Sequence, residues 1–185
     1  MQTTFIVHVE DQPGVLTRVA SLIRRRGFNI ASLTVGRTER DGVSRMTIVM
    51  DSDAHAVPRI EANLYKLVNV IRVENVTPQP SVYRDLAMIK VAADQASRAA
   101  IMQLVEVFRA RVVDVSPDSL IIEITGAEDK IDGFVEMLRP FGVLEIARTG
   151  RVAMARGIGG QPPLADLPSR AEISAVLDEG VSFSV

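Results

Sequence analysis

The sequence predicts an α+β protein made of two tandem copies of a βαββαβ unit, followed by a flexible C-terminal tail. Strand-like segments and segments with one apolar helical face alternate in the same order twice, with a period of roughly 80 residues. After residue 157 the composition changes to a glycine- and proline-rich stretch, which is typical of a flexible joint. Each copy therefore has the element order of a ferredoxin-like, or split βαβ, domain.

The first copy starts with a β-branched strand, Phe5 to Glu10, which Pro13–Gly14 ends. A helix with one apolar face follows, and Gly27 stops it. Two strands then meet at the hairpin signal Asp41–Gly42. The markers of the remaining elements are, in order: Val15, Leu16, Val19, Leu22 and Ile23 for the helix; 30–37, and Met46, Ile48 and Met50, for the two strands; Val57, Ile60, Leu64 and Leu67 for a second helix; and 70–75 for the fourth strand.

The second copy repeats this order after a stretch rich in proline. Its predicted elements are a strand over 86–92, a helix with Ile101, Leu104, Val105 and Phe108, strands over 112–115 and 119–125, a helix with Ile131, Phe134, Val135 and Leu138, and a strand over 143–148. We expect an N-terminal domain over 1–77, a linker over 78–84, a second domain over 85–157 and a flexible or docked tail over 158–185. Within the tail, Ser169 and Glu172 form a capping-box pattern that predicts a short helix through Leu177.

Composition excludes several classes of function. The 185 residues carry a net charge of −2 and 4% aromatic residues, so neither a basic field nor a base-stacking surface for nucleic acid is expected. Cysteine is absent, which excludes disulfides and thiolate metal sites. No apolar run approaches the ~18 residues of a membrane span and no signal peptide is evident, so a cytoplasmic protein is expected. His8 and His55 have no partner at ligand spacing, and neither a metal site nor a catalytic triad is predicted.

The candidate site is the turn Asp11–Gly14 together with Asn29. The turn follows the first strand and starts a helix, whose N-terminal amides suit a carboxylate, whereas Asn29 precedes the second strand. In a split βαβ unit these positions lie at opposite ends of one sheet. Antiparallel pairing of the second strand, a sheet edge, with its copy in a homodimer brings Asn29 of one chain toward the turn of the other. The alternative is structural: Asp11 caps a helix and Asn29 makes a local turn bond.

The same residues resemble the small, regulatory subunit of acetohydroxyacid synthase (acetolactate synthase). The resemblance covers about residues 3 to 157 and is carried by the runs Asp11-Gln12-Pro13-Gly14-Val15-Leu16, 26–36, 44–48, 67–70 and Glu145-Ile146-Ala147-Arg148-Thr149-Gly150. It implies an N-terminal ACT domain, the amino-acid-sensing form of this fold, and a second ACT-like domain.

The resemblance also implies a function. The family binds a separate catalytic large subunit, activates it and confers feedback inhibition by valine or another branched-chain amino acid, leucine or isoleucine. The effector contacts it implies fall on Asp11, Gln12, Pro13, Gly14, Val15, Leu16, Asn29 and Ile30. No cofactor is expected on this chain; thiamine diphosphate, Mg²⁺ and FAD belong to the catalytic partner.

Two other classes stay open. A free-standing tandem-ACT amino-acid-binding regulator would share the fold without a synthase partner. An enzyme in its own right is disfavoured, because no acid, base and nucleophile cluster can be assembled from the sequence.

Overall fold

The computed structural model describes residues 2–53 and 55–157, and it confirms two ferredoxin-like domains in tandem. The predicted tail over 158–185, with its short helix from Ser169, lies outside the described residues. The elements are β1 Gln2–Glu10, α1 Val15–Arg25, β2 Ile30–Arg37, β3 Val43–Asp51, α2 Val57–Leu64, β4 Val70–Asn75, β5 Ser81–Ala92, α3 Arg98–Val107, β6 Arg111–Val115, β7 Ser119–Gly126, α4 Glu128–Leu138, β8 Val143–Arg148 and β9 Val152–Ala155.

The first sheet has the strand order β2-β3-β1-β4, so β3 lies between β1 and β2 as predicted. Both β1 and β2 pair antiparallel with β3 and therefore run parallel to each other. Side chains alternate between the two faces of a strand. On β1, Phe5, Val7 and Val9 point to the helices and form the first core with residues of α1, α2 and β3. Thr4, Ile6 and His8 consequently lie on the opposite face, which carries no helix and which we call the open face.

The second sheet repeats this plan with the order β6-β7-β5-β8. Its core is built from the inward residues of β5 and β7 and the apolar faces of α3 and α4. Phe134 of α4 is fully buried, and its ring lies 5.0 Å from that of Phe108 at the end of α3. Because these rings join the two helices, they fix how the helices lie on the sheet.

Three features differ from the sequence prediction. The helix α2 ends at Leu64, and Leu67 packs against the core from the loop beyond it. The strand β5 starts at Ser81, so the last four residues of the expected linker over 78–84 lie in a strand. The strand β9 was not predicted; it pairs with Ser81–Arg84, the first part of β5. Four residues are too few to show a periodicity, and this strand forms because a distant segment supplies its hydrogen-bond partner.

The pairing of β9 with β5 places β9 against the open face of the first sheet. Ala153 of β9 is fully buried and packs with Ile6 and Val76 of the first domain, with Tyr83 beside them. The Tyr83 hydroxyl donates to the Val76 carbonyl at 3.0 Å, and the Arg45 guanidinium donates to the Ala153 carbonyl. The two domains are therefore joined by a small apolar cluster and by hydrogen bonds at its border.

Candidate functional site

The turn from Asp11 to Gly14 connects β1 to α1 and is exposed along its length. Its backbone is fixed at the start, because the Asp11 amide donates to the Gly42 carbonyl at 2.8 Å. At its end Gly14 is the N-cap of α1 with φ +84°, a left-handed conformation that favours glycine. Asp11 does not cap the helix, since no side chain bonds to the N-terminus of α1. The structural alternative for Asp11 therefore has no support in the described residues.

The N-terminus of α1 presents amides without acceptors. The Val15 amide donates to the Gln12 carbonyl at 3.3 Å and the Arg18 amide to the Gly14 carbonyl at 3.0 Å. Among the described residues, the amides of Gly14, Leu16 and Thr17 donate to no backbone or side-chain oxygen. Unpaired amides at a helix start, with the positive end of the helix dipole, favour a carboxylate.

The side chains over this turn divide into two groups. Val15 is buried in the first core and anchors the helix start, whereas Leu16 is 43% exposed and lies free beside the amides. An exposed leucine next to a potential carboxylate site offers an apolar contact for an aliphatic side chain. Gln12 and Pro13 are exposed and contribute the backbone of the turn.

Asn69 supports the turn from below, a role that its place in the run 67–70 does not indicate. Its backbone carbonyl accepts from the Glu10 amide at 2.9 Å, and its Nδ2 donates to Glu10 Oε2 at 2.6 Å. Its Oδ1 accepts from Arg18 Nη1 at 2.5 Å. Through these hydrogen bonds the buried Asn69 connects the end of β1 to α1. No local sequence pattern could indicate this contact, because Asn69 is 59 positions from Glu10.

Asn29 and Ile30 lie at the other end of the same sheet. Glu10 is opposite Val43 on β3, whereas Ile30 is opposite Met50, seven residues further along β3. At about 3.4 Å per residue the two parts of the candidate site are about 24 Å apart along the sheet. Asn29 is exposed, and Ile30 is half-buried against the first core. The turn and Asn29 of one chain are therefore far apart. This agrees with the sequence prediction that they lie at opposite ends of one sheet.

The strand β2, which begins at Ile30, is an edge of the first sheet and also contacts the second domain. Its backbone pairs with β3 on one side, and within the described residues no strand pairs with its other side. Two hydroxyls on its open face bind the loop between β8 and β9. Ser32 Oγ accepts from the Arg151 amide at 2.9 Å, and Thr34 Oγ1 donates to the Arg151 carbonyl at 3.2 Å. The candidate effector strand is thus bonded directly to the second domain.

The Arg151 side chain completes this connection. Its guanidinium donates to Gln2 and Thr4 of β1 at 3.0 and 3.2 Å, and it forms an ion pair of 2.5 Å with Glu128 at the start of α4. It also lies over the Tyr83 ring, 5.5 Å from the centroid. We call residues 149–151 the inter-domain loop. Thr149 and Gly150 lie in one of the runs that resemble the family, but no pattern in the sequence indicates that this loop joins the domains, because its partners come from four separate segments.

A second polar cluster lies on the open face of the first sheet, around His8. Its register neighbours are Arg45 on β3 and Arg72 on β4. Burial, and then the positive charges of Arg72 and Arg45, lower the pKa of His8 to about 4. The imidazole is therefore neutral at pH 7, and its Nδ1 has no hydrogen-bond partner among the described residues.

The described part of the chain contains neither a metal-binding cluster nor a membrane-spanning helix. Over residues 2–53 and 55–157, no group of three or more histidine, cysteine, aspartate or glutamate residues has the geometry to hold a metal ion. In the same ranges no helix combines the length and apolar character required to cross a membrane.

Comparison with known proteins assigns the class and then the family. A family model described as an AHAS small subunit-like ACT domain matches residues 5–72, and one described as the small subunit of acetolactate synthase matches residues 84–157. The two ferredoxin-like domains are therefore ACT-type domains in tandem. The chain belongs to the family of acetolactate synthase small subunits.

Individual relatives agree with this assignment. A probable acetolactate synthase small subunit of Archaeoglobus fulgidus is 54% identical over 157 residues, which cover 85% of this chain and 98% of the relative. The acetolactate synthase small subunit of Mycobacterium bovis is 49% identical over 154 residues, covering 83% and 92%. The crystal structure of the acetolactate synthase small subunit from Thermotoga maritima has a TM-score of 0.81 and 44% identity, covering 85% of this chain and 98% of that one.

Proposed function

We propose that this chain is a non-catalytic regulatory subunit that activates the thiamine-diphosphate-dependent catalytic subunit of acetolactate synthase. In this proposal it confers feedback inhibition by valine, or by leucine or isoleucine, in branched-chain amino acid biosynthesis. Thiamine diphosphate, Mg²⁺ and FAD are held by the catalytic subunit. The names of the relatives support the large-subunit partner.

The observation that carries the effector proposal is the helix start after Gly14. Its unpaired amides suit the carboxylate of an amino acid, and the exposed Leu16 suits an aliphatic side chain. The Asp11 carboxylate is exposed at the other end of the same turn, within the region that would receive the ammonium group.

The site needs a second chain because Asn29 lies about 24 Å from the turn in one chain. Antiparallel pairing of the free edges of two β2 strands forms an isologous homodimer with two equivalent sites. Each site then combines the turn of one chain with Asn29 and Ile30 of the other. Effector binding is consequently linked to dimer formation, so a saturating effector stabilises the dimer.

The test is calorimetric titration of the full chain with valine, leucine and isoleucine, for the wild type, Asn29→Ala and the control Asn63→Ala. Asn63 lies on α2, where its amide donates to the Arg59 carbonyl of the same helix. Loss of a hydrogen bond to a charged ligand predicts affinity about tenfold to a hundredfold weaker for Asn29→Ala, and unchanged affinity for the control.

Two results would contradict separate parts of the proposal. Equal affinity of the wild type and Asn29→Ala would remove Asn29 from the site. Failure of the chain to raise the activity of a purified catalytic subunit would exclude the regulatory role itself. Activation that persists in Asn29→Ala, with weakened feedback inhibition, would support both parts.

A further inference from the structure

A cleft between the two domains is separate from the predicted effector site. It consists of two adjoining hollows of about 380 and 460 Å³, both lined by Asp85, Glu128 and Arg151. One wall is β2 at 31–33, and the opposite wall is β8, the inter-domain loop and the start of α4. Hollows of this size between domains are common positions for small-molecule sites. We call this region the inter-domain cleft.

Two carboxylates of the cleft are ion-paired, whereas Asp85 and the more peripheral Asp129 form no ion pair with described residues. Arg151 pairs with Glu128 and Arg148 pairs with Asp132, each at 2.5 Å. Asp85 is only 7% exposed, yet within the described residues its carboxylate accepts no hydrogen bond and forms no ion pair. The exposed remainder of Asp85 lines both hollows, so a donor that enters the cleft can reach a carboxylate that has no partner within the described residues.

The electrostatic surroundings agree with this description. Burial, and then the negative charge of Glu128, raise the pKa of Asp85, while Arg151 and Arg148 act in the opposite direction. The hollow nearer α4 adds the carboxylates of Asp129 and Asp132 to those of Asp85 and Glu128, against one arginine. A cation that enters the cleft therefore meets an excess of negative charge and a carboxylate with free lone pairs.

We propose that the inter-domain cleft binds a small zwitterion, with its ammonium group on Asp85 and its carboxylate on Arg148. The ammonium group supplies the donors that Asp85 lacks. Arg148 donates a single hydrogen bond to described residues, from Nη2 to Asp132, so the remaining N–H groups of its guanidinium are free to bind a carboxylate. A metal ion is the weaker alternative, because the acids of the described residues do not form a metal-ligand cluster.

This site is distinct from the proposed effector site because all its groups come from one chain. It also contacts the inter-domain loop and β2 at once, so an occupied cleft would restrain the same segments that join the two domains. Binding in the cleft would appear in a titration as a second amino-acid site per chain.

The test uses the full-length Asn29→Ala chain, in which the affinity of the proposed effector site is expected to be about tenfold to a hundredfold weaker. It is titrated by calorimetry with a panel of L-amino acids (alanine, valine, serine, glutamine and lysine) and with n-propylamine, which lacks the carboxylate. We expect saturable binding of at least one amino acid, weaker binding of the amine, and a loss of about tenfold or more in affinity when Asp85→Asn is added. Asp114→Asn, an exposed acid on β6, is the control with the same change of charge.

Stability of the ligand-free protein gives an independent check. Asp85→Asn removes an unpaired buried carboxylate, so its thermal midpoint should equal or exceed that of the parent. A lower midpoint would show that Asp85 is already paired, and would overturn the proposal. So would the absence of saturable heat with the whole panel, or affinity that Asp85→Asn leaves unchanged.

Two further outcomes separate this inference from its alternatives. If Asp85→Asn loses binding to the catalytic subunit and no amino acid binds in the cleft, Asp85 instead pairs with a basic side chain of that partner. This result would overturn the proposal that the cleft binds a zwitterion. If Asn29→Ala leaves the wild-type titration unchanged, the proposed effector site fails, and the effect of Asp85→Asn is then measured in the wild-type chain. The two failures are therefore distinguishable.

Discussion

Replacing Gly150 by alanine is the most direct test of how the two domains are joined. Gly150 has φ +84°, and a Cβ atom there would lie 2.5 Å from Ser32 Oγ and 3.3 Å from Thr34 Oγ1. The left-handed backbone costs an alanine roughly 1–2 kcal/mol. Displacing Ser32 also breaks its bond with the Arg151 amide, at about 1 kcal/mol. We expect Gly150→Ala to lower the free energy of unfolding by about 2–3 kcal/mol.

The matched control is Gly42→Ala, at the hairpin between β2 and β3. Gly42 has φ +76°, but no atom lies within 4 Å of the position of its Cβ. This variant therefore has the backbone cost alone, roughly 1–2 kcal/mol. Urea unfolding of the full chain, followed by far-ultraviolet circular dichroism, gives both values.

A double-mutant cycle with Ser32→Ala isolates the contact. Ser32→Ala removes the oxygen that the new Cβ would meet, so the double variant with Gly150→Ala should be more stable than the sum of the single effects by about 1 kcal/mol. Strict additivity, together with equal costs for Gly150→Ala and Gly42→Ala, would refute the close packing of the inter-domain loop on β2.

Two other predictions concern the first domain. Because the pKa of His8 is about 4 in the folded chain and about 6.5 for an unperturbed histidine, the unfolded chain binds a proton between these pH values that the folded chain does not. Stability should thus fall by up to about 3 kcal/mol as the pH drops from 6.5 to 4, and His8→Gln should reduce this slope in urea midpoints; an unchanged slope would contradict the pKa. Asn69→Ala loses the side-chain hydrogen bonds to Glu10 and Arg18 on either side of the turn, so it should lower the free energy of unfolding by about 1–3 kcal/mol. It should also weaken effector binding as measured by calorimetry. Wild-type affinity in that variant would show that the turn holds its shape without Asn69.

The sequence predicted most of the fold because its signals are local. In β1 and β3 the alternation of side chains, and in α1 and α4 the apolar face, appear within about ten residues. The first part of β5 was missed because Pro78 and Pro80 mark a linker and Ser81–Arg84 is short. It becomes a strand only when β9 pairs with it, 68 or more residues later in the chain.

The candidate site divides in the same way. The turn at Gly14 is a local motif, and its left-handed conformation is the one that glycine before a helix predicts. Asn69, by contrast, acts through a contact 59 residues away, and the Arg151 amide meets Ser32 across 119 residues. No pattern within one segment of the sequence carries such contacts, so the support of the turn and the inter-domain loop were found only in the structure.

The position of β2 explains why the regulatory proposal needs the inter-domain loop. In the proposed function a ligand contacts Asn29, directly before β2, and Ser32 and Thr34 of that strand hold Arg151 by its amide and its carbonyl. Only two residues separate Asn29 from Ser32, so any displacement of the start of β2 on binding would act close to these bonds. The Arg151 side chain extends this constraint to Glu128 at the start of α4. If an effector binds as proposed, these contacts form a contiguous path from its site to the second domain, and the double-mutant cycle at Ser32 and Gly150 measures how strongly one link of that path is coupled.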